Sequence, residues 1–221
     1  FMTLLICSHI INHRKVIWLD PENKNRELTR KLEGNYIEVG LNKNVINIFD
    51  LQPVSTDADE KESEEVMYDT KIAIKNVVED MIIMFKTLWP NITEDEINVL
   101  DEITEKTYRV VGIDGTESFR YLKPEDYPTF TTFSVVIDQM LEEYENSSLK
   151  NKKVIEALLN LQMKMRSLVG TAGIEGHLSR YFNGTTNINM DSLDTIGLVS
   201  FGTKHLMNTP EHIRNALLRI I

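Results

Sequence analysis

Cysteine is nearly absent from this 221-residue sequence: Cys7 stands alone, so no disulfide can form within the chain, and no Cys/His set has the spacing of a zinc site. Cys7 lies in an apolar helical run, where a reduced, buried thiol is the plain expectation. Basic residues are also short, 24 Lys and Arg against 34 Asp and Glu, and the net charge of −10 excludes a chain-wide electrostatic footprint for nucleic acid, though not a local basic patch. Long apolar runs are missing too. The most apolar segment, Phe1 to Ile11, is interrupted by Ser8 and His9, falls short of a bilayer span, and lacks the basic start and small-residue cleavage site of a signal peptide. A cytosolic chain, or one held at a membrane by a partner, is the expectation. The Asn-x-Thr triplets at Asn91 and Asn183 carry little weight in such a chain.

What is present is an ordinary globular composition, 42% hydrophobic and 26% charged, which argues against disorder and against a fibrous class. The length suffices for one large domain or two small ones. The first structural signal is Lys15-Val16-Ile17-Trp18-Leu19-Asp20-Pro21-Glu22, an apolar strand that delivers acids at its C-terminal end. The Phe1–Ile11 helix before it opens without a cap or a start methionine, so the sequence reads as a piece of a longer chain. A helix feeding such a strand is half of a βαβ unit, and ligands of open α/β sheets sit at the C-terminal strand edge.

After that strand the pattern predicts a short helix over Arg26–Leu32, a turn at Glu33-Gly34-Asn35, and a strand over Tyr36–Val39. Asn44–Leu51 alternates polar and apolar residues and predicts an edge strand or extended segment, stopped by Pro53. Val54–Glu65, with six acids, reads as a solvated linker. From Val66 the period becomes helical: one long amphipathic helix to Leu88, a second opened by a capping box at Thr93 and Glu96, a third over Phe133–Tyr144 and a fourth over Lys152–Leu168. Strand signals then return, with a turn or hairpin at Tyr181–Thr186 and a strand at Thr195–Phe201, before a last helix from Pro210. The expected fold class is α/β with an inserted all-helical subdomain: residues 1–55 as the first part of the core, 56–178 as the insert, and 179–221 as the return to the core.

Few constellations carry chemistry. Gly197-Leu-Val-Ser-Phe-Gly202-Thr203-Lys204 nearly spells a phosphate-binding loop, but threonine and lysine stand in the wrong order for the lysine to reach the phosphates, and a strand end explains the segment better. Asp20 and Glu22 stand where a carboxylate could orient water or hold magnesium beside a nucleotide. The plainer reading from composition is an Asp-Pro turn in which Asp20 caps the following helix. His177 and Arg180 read as a structural turn rather than a catalytic pair.

Taken in order, several segments resemble the conjugative-transfer ATPases of type IV secretion systems, the VirB/TraC/TraE-like group related to the HerA and FtsK motors. They are Ile17-Trp18-Leu19-Asp20-Pro21-Glu22, Asn47-Ile48-Phe49-Asp50-Leu51, the Ile92–Leu100 stretch with Thr107-Tyr108, Pro128-Thr129, and Phe182-Asn183-Gly184-Thr185-Thr186-Asn187. The sequence departs from the family at Lys24-Asn25, where an acidic and an aromatic residue are usual. The resemblance implies a RecA-like P-loop core, with the Walker A loop before Phe1 and the Walker B strand after Ile221, and with Asp20 and Glu22 as supporting acids near the phosphates. It implies ATP and Mg2+ as cofactors and ATP hydrolysis by the full-length protein, the fragment alone being inactive. It further implies a hexameric ring at the cytoplasmic face of the plasma membrane, a coupling protein and inner-membrane secretion-channel components as partners, and contact with DNA. The alternatives are a non-enzymatic α/β plus helical interaction module and a HerA/FtsK-like DNA translocase outside secretion.

Overall fold

The computed structural model describes residues 2–40, 44–55, 66–147, 151–188 and 197–220. Helix α1 (Met2–Ile11) leads into strand β1 (Val16–Asp20); α2 (Arg26–Lys31) leads into β2 (Asn35–Glu38). Two-residue strands β3 (Val54–Ser55) and β4 (Val66–Met67) pair antiparallel ahead of four long helices: α3 (Thr70–Leu88), α4 (Glu94–Val110), α5 (Phe130–Asn146) and α6 (Lys152–Leu168). A small hairpin of β5 (Gly170–Thr171) and β6 (Ile174–Glu175), the short α7 (Ser179–Phe182), β7 (Leu198–Gly202) and α8 (Glu211–Ile220) complete the described chain.

The main sheet is parallel, in the order β1-β7-β2. The strand that returns after the helices therefore inserts between the two that precede them, and Asp20, Gly202 and Glu38 come into register at the same C-terminal edge. All five β7 residues are buried, as a central parallel strand requires. β1 is different. Its residues alternate, with Ile17 76% and Leu19 52% exposed, so the strand is an edge with one open face rather than the fully buried strand its apolar run suggests. Helix α2 is pinned to β7 through a buried polar contact: the Thr29 hydroxyl donates to the Asn25 carbonyl (2.9 Å) and stands 2.8 Å from the Ser200 hydroxyl.

Among the helices the expected capping box is present. The Glu96 amide donates to Thr93 Oγ1 (3.2 Å), and the Thr93 amide donates to Glu96 Oε2 (2.7 Å). Glu96 is otherwise fully enclosed, and its second oxygen receives the Lys164 ammonium from α6 at 2.5 Å, so a local start signal also ties two helices together.

Two expected helix boundaries need correction, and two open alternatives are decided. The helix predicted from Val66 starts at Thr70, because Asp69 accepts from the Ile72 amide (3.0 Å) and sets the N-terminus there, while residues 66–67 pair with β3. The third helix runs Phe130–Asn146, longer than predicted at both ends. Tyr181–Thr186 is no hairpin; Tyr181 and Phe182 belong to α7, and the hairpin lies at residues 170–175. Asn44–Leu51 forms no strand. Its Asn47, Ile48 and Phe49 are buried consecutively, and side chains rather than a ladder satisfy its backbone: the Asn47 amide donates to Thr186 Oγ1 (2.7 Å), and Tyr108 Oη donates to the Phe49 carbonyl (2.6 Å). The acidic residues 56–65 and Thr195-Ile196 lie outside the described residues.

This 47–51 segment works as a plug. The Asn47 side-chain amide donates to the Pro128 carbonyl (2.8 Å), and the Phe49 ring is fully buried among Tyr108, Phe130 and Phe133, with centroids 6.1, 5.2 and 5.9 Å away. One hydrophobic cluster consequently runs from Ile37 and Phe201 in and beside the sheet to Met165 and Leu168 in α6.

Candidate functional site

In a parallel sheet the strand carbonyl ends and the loops that follow them form the edge at which ligands gather. Here that edge carries Asp20, Asn23, Tyr36, Glu38 and Gly202. Asp20 is only 2% exposed, yet it is held by donors: its Oδ2 accepts from the Asn25 amide (2.8 Å) and from Tyr36 Oη (3.1 Å). The Asn25 amide opens α2, so the turn reading of Asp20 and its placement at the sheet edge are both features of one geometry. The chain can make this turn because Asn23 adopts φ +55°, a left-handed conformation that asparagine tolerates better than most residues.

Asn23 then joins the three strand ends. Its Oδ1 accepts from the Lys204 amide (3.2 Å), its Nδ2 donates to Glu38 Oε1 (3.4 Å), and the Thr203 amide donates to the Asp20 carbonyl (3.0 Å). Glu38 is paired with Arg26, whose guanidinium also lies 5.3 Å from the centre of the Tyr36 ring. The Tyr36 phenol is pushed well above its ordinary range, first by burial and then by the Asp20 charge, so it keeps its proton at any physiological pH and remains a donor to Asp20. The arrangement fixes one carboxylate in position and dresses it with a neutral O–H and a backbone N–H.

Glu22 is placed differently. It is exposed and paired with Lys24, whose ammonium Glu22 holds above its usual range through a hydrogen bond and charge attraction. Of the residues at 24 and 25, Lys24 pairs with Glu22 and Asn25 gives Asp20 its backbone amide. His177 is exposed, and Arg180 donates to Tyr181 Oη (2.6 Å) and stacks 4.5 Å from that ring. Gly197–Lys204 is strand β7 followed by a 3-10 turn over Lys204–Asn208. Sequence reasoning missed Asn23, Tyr36 and Glu38, because nothing in a linear pattern says which strands will be neighbours.

Gly202 is required by this network. A Cβ there would stand 2.5 Å from Tyr36 Oη and 2.7 Å from Asn23 Oδ1. Gly202→Ala is therefore expected to destabilise the protein by about 1–3 kcal/mol through overpacking. Adding Tyr36→Phe removes the nearest clashing atom, so the double variant should lose less than the two single losses combined, a coupling that denaturant titration of the four proteins measures.

No protein-family model matches the chain, and no curated protein matches it. Among solved structures, VirB4 of Thermoanaerobacter pseudethanolicus superposes with a TM-score of 0.76 at 18% sequence identity, over 99% of this chain and 70% of that one. At the level of fold, this bears out the resemblance to type IV secretion ATPases and the α/β class expected from the sequence.

Proposed function

We propose that this chain is part of an ATP-hydrolysing motor of the type IV secretion kind, and that Asp20 is a supporting acid at its nucleotide edge. The observation that carries the proposal is the VirB4-like fold along the whole chain, combined with a fixed carboxylate at the C-terminal edge of its parallel sheet. ATP and Mg2+ enter through the family resemblance. Among the described residues no group of three or more His, Cys, Asp or Glu could hold a metal ion, and Asp20 is read as an adjoining acid. In the proposed motor the phosphate loop would lie before Phe1 and the magnesium-holding acid after Ile221. Bound there, ATP would supply the phosphoryl group whose transfer releases the energy.

This chain's own contribution is positional. Tyr36 and the Asn25 amide hold the Asp20 carboxylate at one place, and Asn23 locks the ends of β1, β2 and β7 to one another, so that a shift at one strand end reaches the others. Assembly into a hexameric ring, coupling-protein and channel partners, contact with DNA and a position at the cytoplasmic membrane face belong to the same proposal. Among the described residues, no helix is long and apolar enough to cross a membrane.

ATP hydrolysis by the protein with its flanking sequence tests the reading. Asp20→Asn is expected to lower kcat about 100-fold with nucleotide affinity changed only a few-fold, and Glu22→Gln, altering an exposed pair, to change kcat less than about two-fold. Undiminished hydrolysis after alanine replacement of both acids would remove them from the site. Failure of that longer protein to bind nucleotide at all would leave the non-enzymatic interaction module.

A further inference from the structure

Chemistry and burial disagree most sharply at Asp50. Its carboxyl lines a cavity of about 110 Å3 enclosed by the 46–52 segment, α3 and the end of α8, with Asn47, Asn76, Asp80, Arg219 and Ile220 among the walls. Oδ1 of Asp50 is wholly buried and has no hydrogen-bond partner among the described residues. Burial raises the pKa to about 6, against the opposing pull of the Thr186 and Asn47 side chains. A half-buried carboxyl with one enclosed, unpaired oxygen is an expensive feature to retain within the plug that anchors the helices.

The same cavity holds a cation that is only loosely engaged. Arg219, near the end of α8, meets Asp80 of α3 at 3.4 Å, and both side chains are about half exposed, at 54% and 51%. Such surface pairs are weak and exchange readily. A carboxylate deeper in the wall, with less water around it, attracts the same guanidinium more strongly once it is ionised. At roughly 30 Å3 per water in the liquid, the cavity has the room of three to four waters, enough for a planar guanidinium head.

We propose that Arg219 has two stations in this cavity: the rim, on Asp80, while Asp50 carries a proton, and the interior, against Asp50, once that proton leaves. The proton on Asp50 thereby sets how the end of α8 is held against α3 and the 47–51 plug. This neither rests on the motor reading nor follows from it.

The groups facing Asp50 leave the assignment clean. Asp80 comes from α3 and Arg219 from α8. Tyr108, from α4, and Tyr127, ahead of α5, feel the Asp50 charge. Burial, with that charge added, lifts Tyr108 well above its ordinary range and Tyr127 to about 12, so both stay neutral across the range in which Asp50 titrates. Thr186 and Asn47 do not titrate.

NMR on this chain tests the proposal, following the Asp50 carboxyl carbon and the Arg219 Nε–H together from about pH 4.5 to about pH 8. The Arg219 resonance should move with the Asp50 midpoint and become flat in Asp50→Asn. Arg219→Gln should raise the Asp50 midpoint by about half a unit or more, since the ionised form loses its partner. An Arg219 resonance that ignores the Asp50 titration, or follows the same course in Asp50→Asn, would overturn the two-station arrangement. So would an Asp50 midpoint unmoved by Arg219→Gln.

Discussion

Phe49→Ala is expected to lower the unfolding free energy by about 3–5 kcal/mol, the range for deleting a fully buried phenylalanine ring. The ring has no exposed surface and sits against Tyr108, Phe130 and Phe133, which belong to α4 and α5, so its removal leaves a cavity with walls from elements that cannot easily close on it. The loss should exceed that of any single helix-surface change, because the same segment brings the Asn47–Pro128 and Phe49–Tyr108 hydrogen bonds to the helices. Denaturant titration reads the difference, and the slope of the transition reports whether the helices still unfold together with the sheet. A loss below about 1 kcal/mol would mean that the plug is not seated as described.

Asp50→Asn should work in the opposite direction. The folded-state pKa of about 6 lies above the unfolded carboxyl value of about 3.9, so between those values the folded protein binds more protons than the unfolded one. Stability must then fall as pH rises from about 4 to about 6, and stay at its lower level above that. A carboxyl held that far above its ordinary value costs about 3 kcal/mol at neutral pH. That figure is the upper limit, since entry of Arg219 would recover part of it. A neutral amide at this position carries no such cost, so the variant should be the more stable protein at pH 7 and gain little or nothing near pH 4. The pH dependence of the wild-type-minus-variant difference is the measurement. A difference independent of pH would show that Asp50 titrates as a solvated acid.

Local signals in the sequence were strong wherever a few adjacent residues suffice. The Thr93/Glu96 box, the amphipathic stripe of α3 and the acid-ended strand at Asp20 are each written in residues that touch one another in the chain or recur at a helical period. Alternation left Asn44–Leu51 open between an edge strand and an extended segment, because the partners that bury Asn47 and Phe49 come from Pro128, Thr186 and Tyr108, too far along the sequence to register in a window. At β1 a continuous apolar run forms an edge strand with Ile17 and Leu19 open, because β7 is its one neighbour in the sheet among the described residues.

The sequence by itself determined the existence of the long helices, the capping box of α4, the α/β class and the presence of an acid at a strand end, since these follow from periodicity, side-chain reach and turn chemistry over short distances. Only the tertiary structure decided that β7 enters between β1 and β2, and that this brings Asn23, Tyr36 and Glu38 to Asp20. It alone decided that Asp50 is left half-satisfied beside a loosely held arginine. Those outcomes depend on which distant surfaces pack together, and packing is settled by shape and burial across the whole chain rather than by any local pattern.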